Sequence, residues 1–293
     1  MAALKKMFPA AILSTILCSA CLYALAQKVI EPPFTNKDWI KPYPPFRIAG
    51  NLYYVGTYDL ACYLITTPKG HILINTGTAQ SAGLIQKSVE ALGFKFSDIK
   101  ILLTNQVHFD HVGAMAAIKK ITGAKMMVDK ADADVLANGG NSDYLFGGKG
   151  CLFAPVKADR ILHNLDTVQL GGLNIIVLHH PGHTKGSSSF LFEVRDEQRT
   201  YNVLIANMPT ILSGSTFPSM HSYPNIQQDF KYTLDTLRKI RFDLWFAPHA
   251  SQFDLEKKHK PGDSYNPEAF RDQRGFNAAL EDLRKEFEKR VKG

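Results

Sequence analysis

The sequence predicts an α/β domain assembled from two related halves. Apolar runs of strand length alternate with segments of helical periodicity, the alternation recurs in the second half, and no Pro/Gly/Ser-rich linker separates the two. After a Pro-rich lead (Pro32, Pro33, Pro42, Pro44, Pro45), strands are expected at residues 52–55, 62–66, 72–74 and 99–104. Between the third and fourth of these, a helix over 80–92 places Leu84, Ile85, Val89 and Leu92 on one face. A second helix over 112–121 follows the fourth strand, which gives this half a parallel component. In the second half, Gly171-Gly172 joins strands 167–170 and 174–178 into a hairpin. Strands 188–194 and 203–206, a helix over 226–240 and a strand at 244–247 follow. Phe276, Leu280, Leu283, Phe287 and Val291 recur at helical spacing and mark a closing helix packed on the sheet. The stretch 138–149 sets Gly139, Gly140, Gly147 and Gly148 around Tyr144, Leu145 and Phe146; it is read as an irregular binding lid.

Of the 293 residues 45% are hydrophobic and 21% charged, enough apolar material for a large core, which excludes a disordered chain and a small disulfide scaffold. The formal charge of +7 falls to +5 without Lys5 and Lys6, and no basic block or aromatic-interleaved stripe points to nucleic acid. Cys18 and Cys21 lie in the same N-terminal segment as those lysines. The remaining Cys62 and Cys151 make neither a disulfide framework nor a cysteine-based zinc site.

Residues 1–26 combine a short positive region, an apolar stretch from about Phe8 to Leu22, and Ala24-Leu25-Ala26 before Gln27. This is the three-part pattern of a secretory signal peptide. The segment is also about long enough to span a bilayer as an uncleaved anchor, and Cys21 after Ser19-Ala20 offers a weaker lipid-attachment reading. Cleavage would leave 27–293 as one exported, periplasmic domain without a stable membrane anchor, in an oxidising compartment where Cys62 and Cys151 could pair.

The chemistry concentrates in Thr104-Asn105-Gln106-Val107-His108-Phe109-Asp110-His111, straight after a buried strand. Alternate side chains fan out from the tight turn at a strand end, so Gln106, His108 and Asp110 can converge, with His111 offset to a neighbouring point. Two imidazoles and a carboxylate supply most of a zinc shell, since Zn²⁺ accepts His nitrogen and carboxylate oxygen in tetrahedral sets. His183, in His180-Pro181-Gly182-His183-Thr184, and His249, in Pro248-His249-Ala250, each follow another expected strand, where open α/β sheets place their ligands. A lone histidine in such a place is usually incidental; four with an aspartate make a candidate metal centre. His71, His163, His179, His180 and His259 are read as surface or supporting residues, whereas His221 shares an irregular segment downstream of Met208 and is a candidate for the cleft.

The His-x-Asp-His core, the Pro-Gly-His-Thr-x-Gly-Ser stretch at 181–187 and the late Pro-His resemble the metallo-β-lactamase superfamily over roughly residues 48–254. The resemblance implies an αββα sandwich. Within the superfamily the sequence looks most similar to the class B β-lactamases of subclass B3, in the GOB-type branch, where a Gln replaces the first His of His-x-His-x-Asp-His. It implies two zinc ions, one held by Gln106, His108 and His183 and the other by Asp110, His111 and His249. The Gln106 site is expected to be the weaker, an amide oxygen being a neutral, harder donor than imidazole. Two positions depart from the pattern. Asn75 stands where the superfamily usually has an Asp, so contact with the metal loop is carried by an amide or is missing. Met208 replaces a more usual Ser, so a water or substrate group must find another partner. Residues 203–210 contain no carboxylate, unlike the thioesterases, lactonases and nucleases of the superfamily, which usually supply a metal-bridging Asp there.

The implied reaction is hydrolysis of the amide bond of β-lactam antibiotics by a zinc-bound hydroxide, conferring resistance, with no covalent enzyme intermediate. Asp110 takes a catalytic part as well, orienting the nucleophile. Trp39, Tyr144, Leu145 and Phe146 are candidates for contacting the drug's side chains, and Ser142, Asn207, Thr210 and His221 for binding its carboxylate. An exported lactonase or thioesterase of the same fold, or a non-catalytic periplasmic zinc-binding protein, are the alternatives.

Overall fold

The computed structural model describes residues 29–30, 36–212, 217–218 and 220–292. The expected signal peptide lies outside them. Two sheets face each other. The first runs in chain order: β1 (Phe46–Ala49), β2 (Leu52–Tyr54), β3 (Tyr63–Thr67), β4 (Gly70–Ile74), β5 (Ile99–Leu103), β6 (Lys125–Asp129) and β7 (Arg160–Leu162). It is antiparallel up to β4 and parallel from β4 to β7. The second comprises β8 (Thr167–Leu170), β9 (Leu173–His179), β10 (Ser188–Arg195), β11 (Thr200–Ile205) and β12 (Leu244–Phe246), with β12 parallel to β11 at one edge.

The strand period of two sorts side chains between layers. Ile72 and Ile74 of β4, with Ile101 and Leu103 of β5, join the core that also takes Ile175, Val177 and Phe190 from the second sheet. Leu73 and Leu102 point the other way, under α1 (Ala82–Ala91) and α3 (Met115–Thr122), where Ile85, Val89, Met115 and Ile118 meet them. Between these helices lie the short α2 (Phe109–Val112), and after them α4 (Ala133–Ala137). On the second sheet, α5 (Ile226–Leu237) and the closing α7 (Gln273–Lys292), preceded by α6 (Leu255–Lys258), supply Phe230, Leu234, Phe276 and Phe287. Phe276 stands edge-on to Trp245 of β12 with ring centroids 5.2 Å apart. Helices therefore cover the outer side of both sheets, the αββα order.

β1, β6 and β7 were not expected from the sequence. β1 and β7 are short, and β6 reads Lys-Met-Met-Val-Asp, buried on both faces after its first residue, so it shows no alternation. The helix expected at 112–121 is split: α2 already contains Asp110 and His111, and α3 starts only at Met115. Cys62 carries a free thiol buried in the α1/α3 layer, where burial raises its pKa, so the pairing with Cys151 does not occur. Among the described residues no helix is long and apolar enough to cross a membrane.

Candidate metal centre

The loop after β5 is braced from below by Asn75, whose backbone adopts the left-handed conformation (φ 63°). Its Oδ1 accepts from Thr104 Oγ1 (3.2 Å) and the Asn105 amide (3.0 Å), while its Nδ2 donates to Asn105 Oδ1 (2.9 Å). An aspartate could not make the last bond, so the amide at 75 is matched to the amide at 105. Asn105 in turn donates to the Ser188 carbonyl (2.9 Å), stitching the loop to the second sheet.

From this loop, α2 presents Asp110 and His111 toward His249, which follows β12. Nε2 of His111 and Nε2 of His249 lie 3.3 and 3.4 Å from the same Asp110 Oδ2. One donor atom from each of the three residues falls within 4.8 Å of the others, a grouping suited to a metal ion. Both nitrogens of buried His111 lack a hydrogen-bond partner, an expensive state that a cation would relieve. His249 is oriented from behind by Asp59: its Nδ1 meets Asp59 Oδ2 at 3.0 Å, and the same oxygen accepts from Trp39 Nε1 (3.1 Å). Burial alone would raise Asp110, but His111 and His249 hold it well below the usual carboxylate range. Burial alone would lower His249, yet Asp110 and Asp59 push it up to about 9. Carboxylates that favour a proton on His249 also favour a cation in its place.

His108 and His183 form a second pair, ring centroids 4.9 Å apart and edge to face. His183 Nδ1 lies 2.8 Å from the Thr210 carbonyl, which can only accept, so this nitrogen carries the proton and Nε2 keeps its lone pair. Burial lowers His183 to about 3 and also lowers His111, leaving both imidazoles neutral, the form that ligates a metal. Gln106 Oε1 is buried without a partner, as a donor reserved for a cation would be. Asp132 ties together the loops bearing these residues. Its Oδ2 accepts from the Val107 amide (3.2 Å) and Thr184 Oγ1 (2.6 Å), and its Oδ1 from the Gly186 amide (2.8 Å). Gly186 must be glycine, since a Cβ there would sit 2.7 Å from the Asp132 carboxylate carbon.

Residues 56–196 match the family model of the metallo-β-lactamase superfamily. The chain is 60% identical to the class B3 di-zinc metallo-β-lactamase LRA-12 from an Alaskan soil metagenome, with a TM-score of 0.89 over 89% of this chain and 99% of that one. The chain belongs to the metallo-β-lactamase superfamily. The metallo-β-lactamase GOB-18 from Elizabethkingia meningoseptica is 54% identical, with a TM-score of 0.90 over 91% of this chain and 99% of that one. Curated relatives lie further off: a probable metallo-hydrolase of Methanocaldococcus jannaschii is 29% identical over 46% of this chain, and an N-acyl homoserine lactonase of Bacillus sp. 26% over 45%. The chain spans 64% and 57% of the length of those two.

In this metallo-β-lactamase a cleft of about 630 Å³ is lined by His108, Asp110, His183 and His249 together with Trp39, Phe109, Leu145, Phe146, Lys149 and Thr210. Several residues expected to bind substrate are placed elsewhere. Ser142 is exposed and exchanges hydrogen bonds with Asn138 at the end of α4. His221 is exposed outside the cleft, and Asn207 is buried just beyond β11, its backbone N–H donating to Ser189 Oγ while its side-chain Nδ2 has no partner. Tyr144 turns its hydroxyl to the His183 carbonyl (3.2 Å) and packs against Tyr223 rather than lining the cleft. Met208 is core. Of the histidines read as surface or supporting, His71 and His180 are buried, and His180 Nδ1 meets Ser189 Oγ at 2.7 Å. Asp59, Asp132, Asp143 and Lys149 were missed, because single charged residues in loops carry no spacing signal.

Proposed function

We propose that this metallo-β-lactamase opens the β-lactam amide of antibiotics with two zinc ions. The observation that carries the reading is 60% identity over 99% of a class B3 di-zinc enzyme. Gln106, His108 and His183 would hold one ion, and Asp110, His111 and His249 the other; the buried, partnerless oxygen of Gln106 and nitrogens of His111 support that assignment. Bound zinc supplies an activated water as nucleophile and a counter-charge for the negative charge developing on the opening ring. Asp110, its Oδ2 shared between two imidazoles, orients that water. Thr210 fixes the ring of His183 through its carbonyl, and Asp59 fixes that of His249. Trp39, Phe109 and Phe146 offer an apolar wall to the drug's side chain and exclude bulk water from the reacting amide. Residues 1–26 would export the protein to the periplasm.

Purified, zinc-loaded protein should hydrolyse nitrocefin with a far larger kcat/KM than an N-acyl homoserine lactone or a thioester. Faster turnover of the lactone or the thioester would replace this reading with one of the alternatives.

For the substrate carboxylate, the proposed partner is Lys149, an exposed residue at the lining of the cleft. Lys149→Ala is expected to raise KM for β-lactams about 3- to 10-fold, as suits an exposed charge contact worth about 1 kcal/mol, with little change in kcat. The rise should shrink at high salt. Steady-state kinetics at two ionic strengths check it, and an unchanged KM would remove Lys149 from substrate binding.

A further inference from the structure

Asp143 belongs to the glycine-rich loop that carries Leu145, Phe146 and Lys149 into the cleft, yet its carboxylate is buried and turned toward the metal centre. One oxygen, Oδ1, accepts the backbone amides of Leu145 (2.9 Å) and Phe146 (2.7 Å). The other, Oδ2, lies 3.3 Å from Nε2 of His108. That nitrogen is itself buried and has no formed hydrogen bond, so a slight closure toward Asp143 is what would satisfy it. The loop is folded tightly to bring the carboxylate there: a Cβ on Gly147 would lie 2.4 Å from the Asp143 carbonyl. Its next residue, Tyr144, reaches the carbonyl of His183, and Phe146 sets its ring edge-on to His108 at 5.2 Å. One loop thus grips both imidazoles of the first zinc set while forming part of the cleft wall.

We propose that Asp143 is a positioning residue that holds His108 as the Nε2–H tautomer, presenting Nδ1 to the first zinc, and that its two oxygens couple the filling of that site to the placement of Leu145 and Phe146. The carboxylate accepts a proton-bearing nitrogen on one side of the ring, which orients the ring and makes its other nitrogen the better donor. A cation held at Nδ1 would polarise the imidazole and strengthen the Nε2–H bond to Oδ2, and closing the 3.3 Å gap would be passed by Oδ1 to the two amides it holds. The inference rests on His108 being a ligand, and the test separates the two.

Zinc titration of protein carrying ¹⁵N-labelled histidine, with the His108 and His183 resonances reporting the first site and those of His111 and His249 the second, gives both answers. In the parent, His108 should bind through Nδ1 with a proton on Nε2, and the amides of Leu145 and Phe146 should gain hydrogen-exchange protection as the first site fills. Asp143→Asn, which keeps an oxygen for those amides but loses the charge, should weaken the first site about 10- to 100-fold and leave the second unchanged. Parent His108 resonances that ignore zinc altogether would sink the ligand assignment. A His108 that binds zinc through Nε2, or an Asp143→Asn protein with undiminished first-site affinity, would overturn the role of Asp143 alone. The tautomer is read in the parent, so the question is answered even if the variant does not fold.

Discussion

Exhaustive chelation is expected to reduce hydrolysis of a β-lactam by this protein to background, and stoichiometric Zn²⁺ to restore it. The expectation follows from what lines the cleft, the imidazoles of His108, His183 and His249 and the carboxylate of Asp110, with the nucleophile's activation given entirely to the metal. Zinc lowers the pKa of a coordinated water from 15.7 to about 7, a change no neighbouring imidazole reproduces. Serine-directed inactivators should therefore have no effect. The chelated protein should remain folded, because the sandwich core lies apart from the centre and His249 can pair with both Asp110 and Asp59 in the cation's absence. Metal analysis, circular dichroism and nitrocefin turnover on one sample decide the matter. Turnover surviving in a preparation shown by metal analysis to be zinc-free would falsify the mechanism.

Asp110→Asn should cost at least about a thousand-fold in kcat, ~4 kcal/mol of barrier, at matched zinc occupancy. The substitution keeps the volume of the side chain and removes the charge. In the parent, that charge is buried and shared between the imidazoles of His111 and His249. An amide there supplies a weaker donor to the metal and a poorer acceptor for the attacking water, so both ligation and orientation suffer. Gln106→Ala should lose much less, since in the proposed assignment it removes only a neutral donor from the other zinc set. Comparable kcat values for Asp110→Asn and the parent, each with two zinc ions bound, would contradict the part given to Asp110.

Most strands and the four long helices were legible because burial imposes a period of two or 3.6 on the residues themselves. β6 was not, being buried on both faces. The six residues were singled out for a chemical reason: zinc accepts few side-chain types, and His, Asp and Gln clustered at strand ends have few other uses in common. The structure gathers Asp110, His111 and His249 and pairs His108 with His183. Their surroundings were not legible. Asp59 reaches His249 across 190 residues and Asn105 reaches the Ser188 carbonyl across 83. Such partners leave no local spacing in the chain. Trp39 and Thr210 were placed in the cleft and Ser142, Asn207 and His221 out of it by the way irregular loops settle on the two sheets. The sequence by itself determined most of the elements, the two-layered class and a set of candidate donors, because each depends on local periodicity or on the chemistry of single side chains. Only the tertiary structure decided which carboxylate backs which imidazole and which loop residues face the substrate, because those contacts exist only once two sheets distant in sequence have packed against each other.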